Sequence, residues 1–242
     1  MGEYILKRLK IMFQRIFSFF GLSDLNKSDG FELNGAEKEI KAQKIKEVFA
    51  DIPRFETERL ILRKIREIDY IDMYEYSADA DVTRYLTWQP HANLSETKRY
   101  ANDLQKRYKA GKFFDWGLVH KEDGKFIGTC GLTTINLNKN ACEVGYVLSK
   151  KYWGRGLIPE ALELVMDFAF VYLGFERIEG RFLEGNVNSR KVMQKMGMVF
   201  DKVARNAFYI NGEYKAVHHY YITREMFESK KKERETRRYA VK

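Results

Sequence analysis

The stretch Tyr152-Trp153-Gly154-Arg155-Gly156-Leu157 carries more chemistry for its length than any other part of the chain. Two glycines one residue apart let the backbone turn tightly, with its N–H groups aimed into the turn. A helix beginning at Leu157 adds its unpaired N–H groups and its positive dipole end at the same point. Together they form an anion site suited to a pyrophosphate. No Gly-Lys-Ser/Thr follows, so this is not a Walker loop, and the third glycine of a dinucleotide fingerprint is missing. A tight strand-to-helix turn with no ligand fits the same residues. The surrounding segments have to decide.

Other reactive residue types exclude chemistry more than they suggest it. His218 and His219 are adjacent on a strand, so one of them at most faces inward, and the four histidines have no metal-ligand spacing. No metal site is expected. His120 ends a strand beside a hairpin and reads as a surface residue. Tyr220 and Tyr221 read as core residues, with a general acid as the other reading. Cys130 and Cys142 are too few for a disulfide framework, which points to a reduced, cytoplasmic setting.

The 242 residues are 45% apolar and 32% charged, a balance that buries a core. No run of about 18 apolar residues exists to span a membrane. Five of the nine net positive charges sit in residues 229–242, SKKKERETRRYAVK, which read as a solvated basic tail, with ribosome or acidic-lipid contact as the alternative. Residues 4–20 place Ile5, Leu9, Met12, Ile16 and Phe20 on one helical face, with Lys7, Lys10, Gln14 and Ser18 opposite. Such a basic amphipathic helix lies on an anionic membrane surface or packs on protein. The organisation expected is an amphipathic helix over 1–22, a linker and charged helix over 23–50, a catalytic domain over 51–228 and a basic tail over 229–242.

Within 51–228, Arg59–Arg63 alternates as a strand does, and 67–77 and 95–110 read as helices, the second capped by Ser95. Strands follow at 114–121 and 125–136 around Asp123-Gly124, and at 141–149 after Asn138-Lys139-Asn140. Helices at 157–173 and 187–197 flank a strand at 176–184, and two last strands flank Asn211-Gly212. The unit from 141 to 184 implies a parallel pair in a mixed, mostly antiparallel sheet with helices on both faces.

Four segments join the glycine turn in a pattern: Thr57-Glu58-Arg59-Leu60-Ile61-Leu62-Arg63, Glu143-Val144-Gly145-Tyr146-Val147-Leu148, Pro159-Glu160-Ala161, and Asn186-Val187-Asn188-Ser189 followed by Lys195-Met196-Gly197. The combination resembles the GCN5-related N-acetyltransferase (GNAT) superfamily over residues 55–228, and within it the RimJ/RimL-type ribosomal-protein N-terminal acetyltransferases. The resemblance implies a single α/β GNAT-like domain that uses acetyl-CoA as co-substrate. The family's pyrophosphate loop would be Lys151-Tyr152-Trp153-Gly154-Arg155-Gly156, with Lys151 replacing the usual Gln or Arg. It also implies that Trp153, Gly154, Arg155, Gly156, Leu157 and Ile158 hold the pyrophosphate, and that Tyr146, Val147 and Leu148 line the pantetheine arm. Asn186 and Ser189 would lie beside the arm and the thiol.

An amine attacking a thioester needs a base for its proton, support for an oxyanion and an acid for the departing thiolate. By resemblance Glu143 is the candidate base, working through water, against an edge-of-sheet salt bridge. Ser189 is the candidate acid, against a helix N-cap. Trp88 and His91 lie where this branch builds its acceptor pocket. Ala216 stands where the branch often carries Asp, a departure that bears on acceptor choice. The acceptor expected is the N-terminal α-amine of a protein such as a ribosomal protein. The alternatives are a small amine (aminoglycoside, polyamine, peptide antibiotic) or a silent acyl-CoA-binding module at a membrane. DNA is not an expected partner.

Overall fold

A computed structural model describes residues 33–210 and 212–240. The amphipathic helix expected over 4–20, the linker up to residue 32, and Asn211 lie outside the described residues. The described chain opens with α1 (Gly35–Ala50), started by a reciprocal cap in which the Glu37 N–H donates to Asn34 Oδ1 and the Asn34 N–H to Glu37 Oε2. Then follow β1 (Phe55–Glu56), β2 (Leu60–Arg63), a 3-10 turn at Glu67–Asp69, α2 (Tyr70–Ser77), α3 (Ala80–Thr83) and α4 (Leu94–Lys109). The cap of α4 is Asn93, whose Oδ1 accepts from the Glu96 N–H at 3.0 Å, and not Ser95 as the sequence suggested. Ser95 is the second residue inside the helix.

Three antiparallel strands come next, β3 (Phe114–His120), β4 (Phe126–Asn136) and β5 (Ala141–Leu148). The helix α5 (Leu157–Asp167) runs into a π-helical turn at Phe168–Tyr172. After it come β6 (Arg177–Leu183), α6 (Val187–Met196), β7 (Val199–Ile210), β8 (Glu213–Thr223) and α7 (Arg224–Ala240). The eight strands form one sheet in the order β1-β2-β3-β4-β5-β6-β8-β7. Every pairing is antiparallel except β5 with β6, joined by the crossover through α5. The mixed sheet expected from the sequence is therefore present, with helices on both faces.

Alternation along the strands sorts the two faces. Phe114, Trp116 and Val144 point to one, where Phe49 of α1 meets Phe114 at 4.7 Å, Trp116 at 5.5 Å and Phe168 at 6.4 Å between ring centroids. Gly180 of β6 lies on that face too, with Met193 of α6 so close that a Cβ there would meet its Cε at 2.9 Å. On the opposite face α2 and α4 cover β2 to β4, and the Tyr108 hydroxyl of α4 donates to the Asp115 carbonyl at 2.6 Å. Phe49 is completely buried, and burial of a phenyl ring contributes roughly 1.5–3 kcal/mol. Thus α1 belongs to the packed body, although its sequence reads as part of a connecting segment.

The helix that runs into the basic segment 229–242 is anchored to the domain where it begins. Residues 224–240 are helical, begun by Thr223, whose Oγ1 accepts from the Met226 N–H at 3.3 Å. Phe227 is buried against Phe170, and Lys231 bonds both carboxylate oxygens of Asp167 at 2.7 and 2.9 Å. The first half of this helix is also held to the domain by Arg224, which pairs with Glu176 at 2.9 Å, and by Lys230, which donates to the Lys195 carbonyl at 3.0 Å. Among the described residues no helix is long and apolar enough to cross a membrane.

Candidate active site

The parallel ladder between β5 and β6 runs from the pair Ala141–Arg177 to the pair Val144–Gly180 and stops there. Gly145 to Leu148 continue beside β4 alone, so the sheet opens towards the C-terminal ends of the two strands. A cleft of about 590 Å³ occupies this opening. One wall is Tyr146, Val147 and Leu148, and the other is Asn186, Ser189 and the first two turns of α6. Its end is the turn from Trp153 to Ile158, without Arg155.

That turn owes its shape to its glycines. Gly154 and Gly156 have φ of +74° and +75°, in the left-handed region that other residues avoid. Gly156 is also the N-cap of α5, so the helix presents its first N–H groups to the cleft. Pro159 fits inside that first turn because it lacks only a donor the helix would leave unpaired. Arg59, the residue before β2, braces the turn: its backbone N–H and Nε reach Glu160, and its Nη1 donates to the Arg155 carbonyl at 2.8 Å. The Arg155 guanidinium lies 5.2 Å from the Tyr152 ring. Trp153 Nε1 donates to the Leu148 carbonyl at 2.8 Å, tying the end of β5 to the turn.

Asn186, and not Ser189, caps α6: its Oδ1 accepts from the Ser189 N–H at 3.1 Å. The Ser189 carbonyl accepts from the Tyr146 hydroxyl at 3.3 Å, so the cleft walls touch here. Burial raises the Tyr146 pKa far above the ordinary phenol value, keeping it a neutral donor. Sequence reasoning passed over Lys191 and gave Lys195 no role, yet both line the cleft, with Lys195 Nζ 3.8 Å from where a Gly156 side chain would begin. Their i,i+4 spacing on α6 was the available signal. Lys151, the first residue of the loop expected by resemblance, is outside the cleft lining and pairs with Glu75 of α2. Next to it Lys150 pairs with Asp81 of α3.

Glu143 lies on β5 inside the sheet and outside the cleft lining. Its Oε1 accepts from Arg181 Nε at 3.0 Å and Thr133 Oγ1 at 3.2 Å. Burial moves its pKa above the usual carboxylate range, against the pull of Arg181 and the Thr133 hydrogen bond. Trp88 and His91 are also outside the cleft lining. Their rings lie 5.3 Å apart, and His91 meets Tyr100 of α4 at 5.8 Å. His91 Nδ1 is 2.8 Å from Thr97 Oγ1, and burial lowers its pKa. His120 is 6% exposed, with Nδ1 2.9 Å from Asp123 Oδ2 and its ring against Tyr152, so the surface reading of it was wrong. Tyr152 reaches the same Asp123 oxygen at 2.6 Å, so the hairpin, not solvent, receives this histidine.

Known proteins are similar to this chain in sequence and in fold. The family description "Acetyltransferase (GNAT) domain" matches residues 59–199. An uncharacterized N-acetyltransferase p20 of Bacillus licheniformis is 33% identical over 153 residues, covering 60% of this chain and 84% of that protein. The [ribosomal protein uS5]-alanine N-acetyltransferase of Escherichia coli is 24% identical over 170 residues, covering 67% of this chain and 86% of that protein. The solved structure of a ribosomal L7/L12 alpha-N-protein acetyltransferase in complex with coenzyme A superposes with a TM-score of 0.62 at 18% identity, over 71% of this chain and 98% of that one.

Proposed function

Since the chain belongs to the GNAT acetyltransferase family, we propose that it transfers the acetyl group of acetyl-CoA to the α-amine at the N-terminus of a protein, a ribosomal protein being the class its relatives indicate. The observation that carries this reading is the cleft between the parted strands β5 and β6, closed at one end by the two left-handed glycines and the start of α5. A pyrophosphate fits the N–H groups of the turn and of Leu157 and Ile158, with Lys195 and Lys191 to neutralise it. The pantetheine arm then lies along Tyr146, Val147 and Leu148, whose backbone groups facing the gap have no β6 partner. Asn186 and Ser189 flank its far side.

In this reading the amine nitrogen attacks the thioester carbon at the mouth of the gap. Glu143, two residues before Gly145, draws the second proton from nitrogen through water, and its contact with Arg181 fixes the carboxylate. Ser189 protonates the departing thiolate in the same reading. The surplus positive charge of residues 229–242 suits contact with the ribosome. Membrane contact through residues 4–20 is a proposal about a segment outside the described residues.

Thiol release from acetyl-CoA tests the reading. A peptide amide with a free N-terminal alanine should be acetylated, and spermidine and an aminoglycoside should not. Turnover of a small amine with the peptide inert would replace the acceptor assigned here.

A further inference from the structure

One face of the sheet carries a carboxyl group that the reading above leaves unused. Asp115 of β3 pairs with Gly131 of β4, and Gly131 pairs with Gly145 of β5, so the three form one row across the sheet. Residues 143 and 145 share a face of β5, which places Asp115 on the same side as Glu143. The row ends at Gly145, the first residue of β5 beyond its ladder with β6. It therefore leads from Asp115 to the mouth of the gap.

The two glycines make room over this row. A Cβ on Gly131 would meet the Asp115 Cα and the Phe114 carbonyl at 2.4 Å and Asp115 Oδ1 at 2.5 Å, so only glycine leaves room beside this carboxyl on β4. A Cβ on Gly145 would meet Thr133 Cγ2 at 2.3 Å, and Thr133 in turn holds Glu143. Asp115 Oδ1 is sealed from solvent and, among the described residues, has no hydrogen-bond donor. A buried carboxyl oxygen without a donor is costly and calls for an explanation. Around it stand Tyr100, Arg107 and Tyr108 from α4, Tyr76 from α2 and Cys130 from β4. Tyr100 also continues the run of rings through His91 to Trp88, whose π faces suit an arriving cation.

We propose that Asp115 is a second carboxylate of the acceptor site, which receives the first proton of the acceptor's α-ammonium before nitrogen attacks. The inference rests on the acetyl-transfer reading and adds to it the preparation of the amine. The ammonium gives one proton to the Asp115 carboxylate. The freed lone pair forms the N–C bond while the C–S bond breaks, leaving its electron pair on sulfur. The second proton leaves nitrogen through water to Glu143, the thiolate takes up one proton, and the other returns to solvent. Burial pushes the Asp115 carboxyl up to about 7, with Arg107 pulling the other way. An α-amine near 7.7–8.0 then passes its proton with roughly a tenfold equilibrium disadvantage. A lysine amine near 10.4 faces a disadvantage above a thousandfold, so the site selects α-amines.

The test compares the wild-type protein with Asp115→Asn. With the alanyl peptide the variant should lose about ten- to a thousandfold in kcat/KM at pH 6.5. The loss should shrink towards unity at pH 9, where the amine is already neutral, and the acetyl-CoA melting shift should stay unchanged. An equal loss at both pH values, full activity at pH 6.5, or a lost melting shift would overturn the proposal. Carbon-13 NMR of aspartate carboxyls in the wild-type protein gives a second readout that needs no variant and no turnover. One carboxyl should titrate near 7, and the alanyl peptide with coenzyme A should lower its midpoint. No aspartate titrating above 6, or a midpoint indifferent to the peptide, refutes the assignment. Absence of thiol release from wild-type protein with any amine would refute acetyl transfer itself, and the carboxyl titration would still decide Asp115.

Discussion

The stability of the protein should depend on pH through Asp115 in a way that one substitution isolates. Below about 3.8, the ordinary aspartate value, the carboxyl is protonated in both folded and unfolded chains and has no effect on the balance. Between there and about 7 only the unfolded chain releases the proton, so the wild-type protein loses stability as pH rises. Above 7 both forms are ionised and the deficit is constant. A displacement of about three pH units corresponds to roughly 4 kcal/mol, an upper bound because relaxation and water entry soften the burial of charge. Asp115→Asn keeps the shape and removes the titration, so its melting temperature relative to wild type should climb between pH 4 and pH 7.5. At about 2–4 °C per kcal/mol for a chain of this size, the climb is several degrees, and at most about 16 °C. Differential scanning calorimetry of both proteins in matched buffers measures it, and all other titrating groups cancel in the difference. A difference that stays constant from pH 4 to pH 7.5 would refute the reasoning.

Three further outcomes follow from the cleft and from Glu143 beside it. Gly154→Val places a β-branched residue at φ +74°, so the variant should melt about 1–3 kcal/mol less stable and lose the melting shift given by acetyl-CoA. Lys195→Ala should weaken acetyl-CoA about tenfold by calorimetric titration and flatten the dependence of binding on salt, since it removes a charge beside the turn. Glu143→Gln should cut kcat about ten- to a thousandfold at neutral pH while acetyl-CoA binding and melting temperature hold, because Arg181 is 45% exposed and keeps its water.

Much of this was legible from local chemistry. Asp123-Gly124 and Asn138-Lys139-Asn140 mark turns because their residues tolerate the backbone a turn needs, and Asn140 indeed sits at φ +45°. The glycine turn could be read because only glycine makes positive φ cheap. Features set by tertiary contact were not legible. His120 looked like a strand end in water, but the partner that buries it, Tyr152, arrives 32 residues later. Thr223 and Phe227 carry a cap and an anchor for α7, a helix that the lysine run after them does not announce. Asn186 stands three residues before Ser189, the spacing of a cap, but the serine drew the assignment. Asp115 lies in the strand expected at 114–121, and nothing in its sequence neighbours marks it. Its isolation depends on α4 above it and Gly131 beside it, and neither is local.

The short parallel ladder between β5 and β6 has a mechanical consequence. Five antiparallel strands, β1 to β5, form one plate, and β6, β8 and β7 form another. Only four residue pairs of backbone ladder join the plates, with the packing of α6 on α5 as a second strut. Beyond Val144 and Gly180 the rungs are missing. An extended molecule with carbonyl and amide groups along its length, laid in the opening, supplies rungs of the same spacing. Occupancy of the gap would therefore stiffen the whole sheet, and on the proposed reading the two halves are most firmly one body when acetyl-CoA is bound.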